Sequence, residues 1–473
     1  MPVSLDRPAK DVDITAAEYR PLLANLQANI LRAHGRDFAR HVFLRFTGGR
    51  DDVRAWLRGL QVTSAAEQLD QIARRRADPG FSGGLVTGLY LSALGYEHLG
   101  LDTERFASEA FRKGMKDRGG LVEGVVETVL DTGNKDPEPD TWEAGFQDEI
   151  HAMVALADDD ERAVDEAADA LRATGVAEVL TVEEGTVLRR RNSAGDLEPI
   201  EHFGYFDGIS NPLFTQQDLD AERPENQARE HWDAGARLSL VLADDPFTAE
   251  PEAYGSYLVY RKLGQNVARF NARVTVLAGA LATNEPLAGA MAVGRFKDGT
   301  PVVRESAPNP GPEVVNDFDF EEDPHGTRCP AHAHIRKVNP RGTTPLTSLE
   351  SERRRRIVRR GIPYGPPFEA GADARRGLLF MCFQSNVEEQ FEFIQRTWAD
   401  NEHFPTGIPT LGLLQRDTGD DPVIGQDPDE AQRWPKAWGD RQAGKKAFNF
   451  ESAVTLEGGE YLFAPSLPFL RAP

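Results

Sequence analysis

Asp207 is the first of three kinds of side chain in this sequence that could carry out chemistry. It lies in the stretch Gly-Tyr-Phe-Asp-Gly at residues 204–208. The glycines on either side permit a tight turn and the close approach of a flat ligand. With an ordinary pKa of about 3.9, an aspartate can act as a base at acidic pH and move a proton between the two oxygens of a bound peroxide. An isolated Asp-Gly pair, however, is commonly an ordinary turn.

His334 is the second, within Cys-Pro-Ala-His-Ala-His-Ile-Arg-Lys at residues 329–337. Pro330 is expected in the first turn of a helix, which would put His334 about one turn in. A neutral imidazole nitrogen is the axial iron ligand of globins and haem peroxidases. His332 is a rival ligand: on a strand the two histidines would share a face and could bind a metal together, whereas on a helix they would point apart. A structural, hydrogen-bonded histidine is the commoner role for any single His.

Arginines near residue 359 are the third. Four successive arginines, residues 353–356, are most simply a solvated cationic surface. Arg359 or Arg360, which follow Ile357 and Val358, are better placed to enter a pocket. A fixed cation there would stabilise the charge that develops as a peroxide O–O bond breaks.

Composition limits the functions that these residues could serve. The chain has 473 residues, 40% of them apolar, and its 54 Lys+Arg against 76 Asp+Glu give a net charge of −22. We therefore expect two compact domains and no nucleic acid or anionic membrane as partner. No run of 18 apolar residues predicts a membrane span. The first 19 residues have no apolar stretch of signal-peptide length, so a cytoplasmic protein is expected, with secretion without a visible signal as the alternative.

The two cysteines, Cys329 and Cys382, exclude a disulfide scaffold. No Cys-x-x-Cys-His motif is present, so any haem would be held without thioether bonds.

Strand and helix patterns recur in both halves. Strands are predicted at residues 41–46, 84–91 and 150–156 in the first half, and helices at 22–31 and 163–171. The second half predicts strands at 255–263 and 377–383, each followed by a helix, from residue 266 and at 386–394. Two strand-then-helix units per half, with further strands between them, fit a βαββαβ plan used twice.

Five motifs in a fixed order resemble those of the dye-decolourising peroxidases, of the larger bacterial and fungal type. They are Gly204-x-x-Asp207-Gly208, residues 329–337 with Asn339-Pro340-Arg341, residues 359–365, residues 377–380, and Gln390-Phe391. Weaker similarities at residues 26–31 and 458–461 extend the resemblance over nearly the whole chain.

The resemblance implies an α+β fold of two ferredoxin-like βαββαβ domains, of the dimeric α+β barrel type, with antiparallel sheets and peripheral helices. Residues 1–214 would form the N-terminal domain, with the Asp207 motif near its end. Residues 215–245 would be a linker or insertion, and residues 246–473 the haem-binding domain.

Carried over motif by motif, the resemblance implies that His334 is the proximal ligand of haem b. It makes Asp207 the distal acid–base residue and Arg359 the distal arginine, with Arg360 as the alternative.

Further positions follow from the same motifs. Leu378 and Phe380 would line the distal pocket, and Arg336 would contact a haem propionate. Because a proximal histidine commonly donates its other N–H to a carboxylate, Asp421 is chosen as that acceptor.

The activity that the resemblance implies is reduction of hydrogen peroxide and one-electron oxidation of aromatic substrates, such as dyes and phenols, through a ferryl intermediate. Bulky dyes would pass electrons through a surface aromatic; the candidates are Trp398, Tyr364, Trp434 and Trp438. One rival is a haem-handling protein with incidental peroxidase activity, and a weaker one is a non-haem metal oxidase. The sequence does not distinguish a monomer from a homo-oligomer, or say whether manganese is oxidised.

Overall fold

The first half of the chain is a βαββαβ unit. Its strands are β1 (Phe38–Phe46), β2 (Val86–Leu91), β3 (Ala152–Asp158) and β4 (Ala177–Thr186), and its helices are α1 (Arg50–Gly59), α2 (Ala65–Ala77) and α3 (Glu161–Arg172). The strands form an antiparallel sheet in the order β2-β3-β1-β4. The computed structural model describes residues 3–473 except 79, 119–133, 193–194, 223, 310–313, 345–347, 372, 406–408, 411–412, 415–417 and 427–430.

The second half repeats the plan. It consists of β5 (Tyr254–Gln265), α4 (Val267–Leu281), α5 (Glu285–Val293), α6 (His334–Val338), β6 (Ile362–Tyr364), β7 (Gly377–Gln384) and β8 (Val454–Ala464). The helix predicted after β7 is π-helical and runs through Glu388–Glu392 and Ile394–Ala399. The sheet order is β8-β5-β7-β6, again antiparallel.

The two sheets meet at both edges. Gly185 of β4 pairs with Tyr364 of β6, and Leu91 of β2 pairs with Phe463 of β8, so the eight strands close into a ring. This arrangement confirms the α+β fold of two ferredoxin-like units.

The main hydrophobic core fills the interior of this ring. Tyr260 of β5 packs edge-on against Phe43 of β1, with ring centroids 4.8 Å apart, and both side chains are fully buried. Because side chains alternate along a strand, Arg261 and Leu263 of β5 face the opposite way, outside the ring. The outer face of the second sheet carries the candidate site.

A Gln side chain ends the first helix earlier than the sequence pattern predicts. The helix is Arg20–Asn25 rather than residues 22–31. The amide of Gln27 donates to the carbonyls of Leu89 and Pro465, both at 2.8 Å, and accepts the N–H of Leu89 at 2.9 Å. Gln27 thereby bridges the ends of β2 and β8, which a continued helix would prevent.

Shorter elements connect these units. The helices are Ala93–His98, Glu109–Lys113, Ala144–Gln147, Gln216–Asp220, Pro224–Gln227, Leu349–Arg354 and Leu467–Arg471, and the strands are Ala243–Asp244, Val358–Arg359, Pro409–Thr410 with Leu413–Leu414, Leu188–Arg191 with Leu197–Ile200, and Gln432–Pro435 with Lys445–Phe448. Two of these helices, Gln216–Asp220 and Pro224–Gln227, and the strand Ala243–Asp244 fall within residues 215–245, and the domain limits stay a prediction. Among the described residues, no single helix is long and apolar enough to cross a membrane; only α4 and α5 taken together, bent by 109°, reach that length and composition.

Candidate active site

A cavity of about 470 Å³ lies against the outer face of the second sheet. Its walls come from β5, β7, the end of α5, α6 and the turn at residues 204–211. Volumes of this order are typical of small-molecule and cofactor sites. Of the residues singled out from the sequence, Asp207, Arg359, His334, Leu378 and Phe380 all line this one cavity.

The Asp207 turn is held by a buried carboxylate. Glu201 accepts the N–H groups of Phe203 at 2.8 Å and Tyr205 at 2.9 Å. Gly204 has φ +87° and Gly208 has φ +85°, backbone conformations that glycine adopts without strain. Asp207 itself is half-buried, with its N–H donated to the carbonyl of Pro199 at 3.0 Å and its Oδ1 accepting the N–H of Gly208 at 2.6 Å. The turn therefore presents a carboxylate to the cavity on a fixed backbone.

Arg359 and Arg360 point to different partners, although both touch the cavity wall. The guanidinium of Arg360 is buried and donates to the carbonyls of Asn29 at 2.7 Å and Ile30 at 3.0 Å. Arg359 is half-buried, its N–H is fixed by Asn211 at 3.0 Å, and its guanidinium donates to the carbonyl of Ile209, two residues after Asp207. This contact favours Arg359 as the arginine that acts with Asp207.

His334 is held by Asp421, the acceptor predicted from the sequence. Its Nδ1 lies 2.8 Å from Oδ2 of Asp421, whose side chain is fully buried. The other oxygen of Asp421 accepts the N–H groups of Val423 at 2.8 Å and Ile424 at 3.1 Å. A carboxylate fixed in this way needs the proton on Nδ1, which leaves the unprotonated Nε2 of this cavity-lining residue available as a ligand.

His334 is the first residue of α6, not one turn into a helix begun by Pro330 as the sequence predicted. The turn before α6 is held by the carboxylate of Asp323, which accepts the N–H groups of Thr327 and Cys329, at 2.7 and 2.8 Å.

His332, the rival ligand, does not line the cavity. Its ring is buried edge-on against Trp434, 4.3 Å between centroids, and its Nδ1 lies 3.1 Å from the carbonyl oxygen of Thr418. Burial holds its pKa well below the ordinary value. Within the described part of the chain, no group of three or more His, Cys, Asp or Glu residues could hold a metal ion, so the non-haem rival gains no support.

The structure places Arg336 outside the cavity lining, and its predicted contact with a haem propionate stays a prediction. Its guanidinium is fully buried away from the cavity lining, donates to the carbonyls of Cys329 at 2.7 Å and Asp323 at 2.9 Å, and lies over the ring of Phe320. Successive helical residues are rotated by about 100°, so positions two apart, such as His334 and Arg336, face different sides.

Arg295 and Arg341 are among the cavity-lining arginines to which the sequence reasoning gave no role. Arg295 and Arg341 are both buried, and both contact Asn316, at 3.3 and 2.7 Å from its Oδ1. Burial, together with the charge of Arg359, lowers the pKa of Arg295 to about 9, and burial with the charge of Arg295 lowers that of Arg341. Arg341 follows Asn339-Pro340 in one of the motifs shared with the dye-decolourising peroxidases. Its place in that motif was the sequence signal that could have assigned it to the site.

Leu378 and Phe380 enter the cavity from alternate positions of β7, as residues two apart on a strand should. The aromatic residues considered as surface relays are less exposed than expected: Trp398, Trp434 and Tyr364 are buried. Trp438 is half-buried and donates its indole N–H to the carbonyl of Val302 at 2.9 Å.

Comparisons with known proteins agree with this geometry. The family model of the C-terminal part of Dyp-type peroxidases matches residues 198–405. The chain is 38% identical to the multifunctional dye peroxidase DyP2 of Amycolatopsis sp., over 100% of both chains, and 33% identical to the dye-decolorizing peroxidase msp1 of Mycetinis scorodonius, over 74% of this chain and 73% of that one. Its structure superposes on the DyP-type peroxidase of Anabaena sp. with a TM-score of 0.87, at 39% identity over 98% of each chain. The chain therefore belongs to the Dyp-type peroxidase family.

Proposed function

We propose that this chain is a haem peroxidase that reduces hydrogen peroxide and oxidises aromatic compounds, dyes and phenols among them, by one-electron steps. The observation that carries the proposal is that Asp207, Arg359 and His334 line one cavity, while Asp421 forms a hydrogen bond with Nδ1 of His334. The dye peroxidase activity named for its relatives DyP2 and msp1 supports the substrate class.

The residues present fit haem b held without covalent bonds. The cavity has a volume of about 470 Å³ and combines apolar walls, such as Leu378 and Phe380, with one available imidazole nitrogen on His334. Neither cysteine belongs to its lining. The haem iron, when bound, would supply the centre at which the peroxide O–O bond breaks and oxidising equivalents are stored.

The propionates would lie near Arg295 and Arg341. The described partners of these guanidinium groups are carbonyls, Asn316 and, for Arg341, the hydroxyl of Ser210; none is a carboxylate. In contrast, Arg261 in the same wall is paired with Asp136, with Nη1 and Oδ2 2.9 Å apart. Buried charges are normally paired, so a dianionic group would complete this part of the cavity.

On the proximal side, Asp421 makes His334 a stronger ligand. By accepting the Nδ1 proton, the carboxylate fixes the tautomer and the direction of the ring, and it raises the electron density at Nε2.

On the distal side, Asp207 would accept a proton from one oxygen of hydrogen peroxide and deliver it to the other oxygen, which would leave as water. Arg359 stabilises the negative charge that develops during this transfer. The carbonyl of Ile209 keeps its guanidinium close to the Asp207 turn.

The test is the absorption spectrum of the haem-loaded protein before and after one equivalent of peroxide, followed by stopped flow. We expect a Soret band that changes rapidly and stoichiometrically. Asp207→Asn should slow the reaction by about 10²–10⁴, the contribution typical of a general acid–base residue. The exposed Asp220→Asn is the matched control. Slow, substoichiometric reaction of the unaltered protein would favour haem handling, and an unimpaired Asp207→Asn would contradict the assigned role.

A further inference from the structure

A second recess, of about 240 Å³, lies beside the haem cavity. Both are lined by residues 33–36, and the recess is completed by Ile72, Arg75 and Arg76 of α2. Three of its seven lining residues are therefore arginines, in a chain whose net charge is −22. This concentration of positive charge beside the haem cavity favours a ligand of opposite sign.

The segment at residues 29–36 is fixed to α2. Gln68 donates to the carbonyls of Arg32 at 3.1 Å and Ala33 at 3.0 Å, and its own oxygen accepts the N–H of Asn29 at 3.0 Å. The start of α2 is fixed in turn by a capping box between Ser64 and Glu67. The walls of the recess are thus preorganised.

Arg36 forms the inner end of the recess. It is only 4% exposed, and its guanidinium donates to Gln71 at 2.9 Å and to the carbonyl of Gly84 at 3.1 Å, both neutral acceptors. Gly83, with φ +83°, leaves the space that the guanidinium occupies, since a Cβ at that position would overlap it. The positive charge of Arg36 therefore lies in the segment that lines both the recess and the haem cavity. None of its described hydrogen-bond partners is a carboxylate.

The outer end is more accessible. Arg75 donates to the carbonyl of Gly35 at 3.2 Å and pairs with Asp159 at 3.0 Å, while its side chain stays 43% exposed. Arg76 is exposed and has no carboxylate within ion-pair distance in the part of the chain that the structure describes. Asp158 and Asp159 both lie close enough to stabilise the charge of Arg36, and Asp159 also pairs with Arg75, so three guanidinium groups face two carboxylates and the recess keeps a net positive charge.

We propose that this recess, which shares residues 33–36 with the haem cavity, is a docking site for the anionic group of aromatic sulfonates or carboxylates. Arg75 and Arg76 attract the anion, Arg36 receives it at the inner end, and Ile72 packs against the aromatic body. The proposal rests on the proposed peroxidase function for its consequence, because a substrate held here lies next to the cavity that would oxidise it.

The experiment measures binding without turnover, so that it does not depend on peroxide chemistry. The Kd of the haem-loaded protein for anthraquinone-2-sulfonate is compared with that for uncharged 2-(hydroxymethyl)anthraquinone by equilibrium titration. Arg75→Ala/Arg76→Ala should raise the Kd for the sulfonate roughly three- to tenfold at low ionic strength, and the difference should shrink at high salt. The Kd ratio of the two ligands is the readout.

Two comparisons keep the result interpretable. Arg58→Ala/Arg162→Ala removes the same charge from exposed helix positions outside both cavities and should leave the ratio unchanged. Arg76→Ala alone removes an exposed side chain and should shift the ratio in the same direction. An unchanged ratio in Arg75→Ala/Arg76→Ala, or an equal shift in the control pair, would overturn the docking site. Failure of the peroxidase function would instead appear in the peroxide titration, which this measurement does not use.

Discussion

At the scale of single residues, the candidate site depends on which side-chain atoms already have hydrogen-bond partners. Asp421 is separated from His334 by 87 positions in the chain, yet its carboxylate reaches Nδ1. Arg336, two positions after His334, faces elsewhere. Chemical reasoning found Asp421 because a ligating imidazole needs an acceptor, whereas the contact of Arg336 with a haem propionate stays a prediction.

Asp421→Asn tests the proximal arrangement. The asparagine oxygen would keep the N–H groups of Val423 and Ile424, which places its amide N–H₂ against Nδ1. That contact favours the tautomer with the proton on Nε2, the atom needed for the iron. We expect haem affinity to fall about 10- to 100-fold, as is typical when a side chain that hydrogen-bonds to a metal ligand is replaced. Haem titration of the apoprotein measures this change, with the exposed Asp140→Asn as control. Unchanged affinity and an unchanged ferric spectrum would refute the role of Asp421.

At the scale of elements, the repeated βαββαβ plan could be predicted because strands and helices each carry their own period. All five predicted strands exist, with each end within three residues of its predicted position. The closure of the ring could not be predicted, because it depends on pairings between edges that are far apart in sequence. The early end of the first helix also could not be predicted, because Leu89 and Pro465 come within reach of Gln27 only in the folded chain.

Gln27→Ala tests this bridge between the two halves. It would leave the N–H and carbonyl of Leu89 and the carbonyl of Pro465 without their partner in a buried setting. We expect the free energy of unfolding to fall by about 2–4 kcal/mol, since each buried unpaired group costs about 1–3 kcal/mol. Chemical denaturation measures this loss. Gln61→Ala, at an exposed position, should change stability little, and a similar small change for Gln27→Ala would contradict the inferred bridge.

At the scale of the whole molecule, buried neutral histidines link stability to pH. Burial lowers the pKa of His41 to about 3 and those of His34 and His151 to about 4, from an ordinary value of 6.5. Below about pH 6.5 the unfolded chain binds these protons and the native protein does not, so stability falls as the pH decreases towards about 4.

Each of these histidines should contribute a slope of up to about 1.4 kcal/mol per pH unit in this range. Denaturation of the holoprotein between pH 7 and 4.5 measures the slope. His41→Gln should reduce this slope by the contribution of one histidine, whereas the exposed His403→Gln should leave the slope unchanged. A slope that His41→Gln leaves intact would show that other groups cause the acid sensitivity.

The position of the cavity outside the ring of strands has a consequence for protein engineering. Along β5, Arg261 belongs to the cavity wall while Tyr260 belongs to the interior core. Thermostability and substrate range can therefore be selected separately, the first by repacking the interior and the second by varying the outer face. Directed evolution of this scaffold can treat the two sides of one strand as independent libraries.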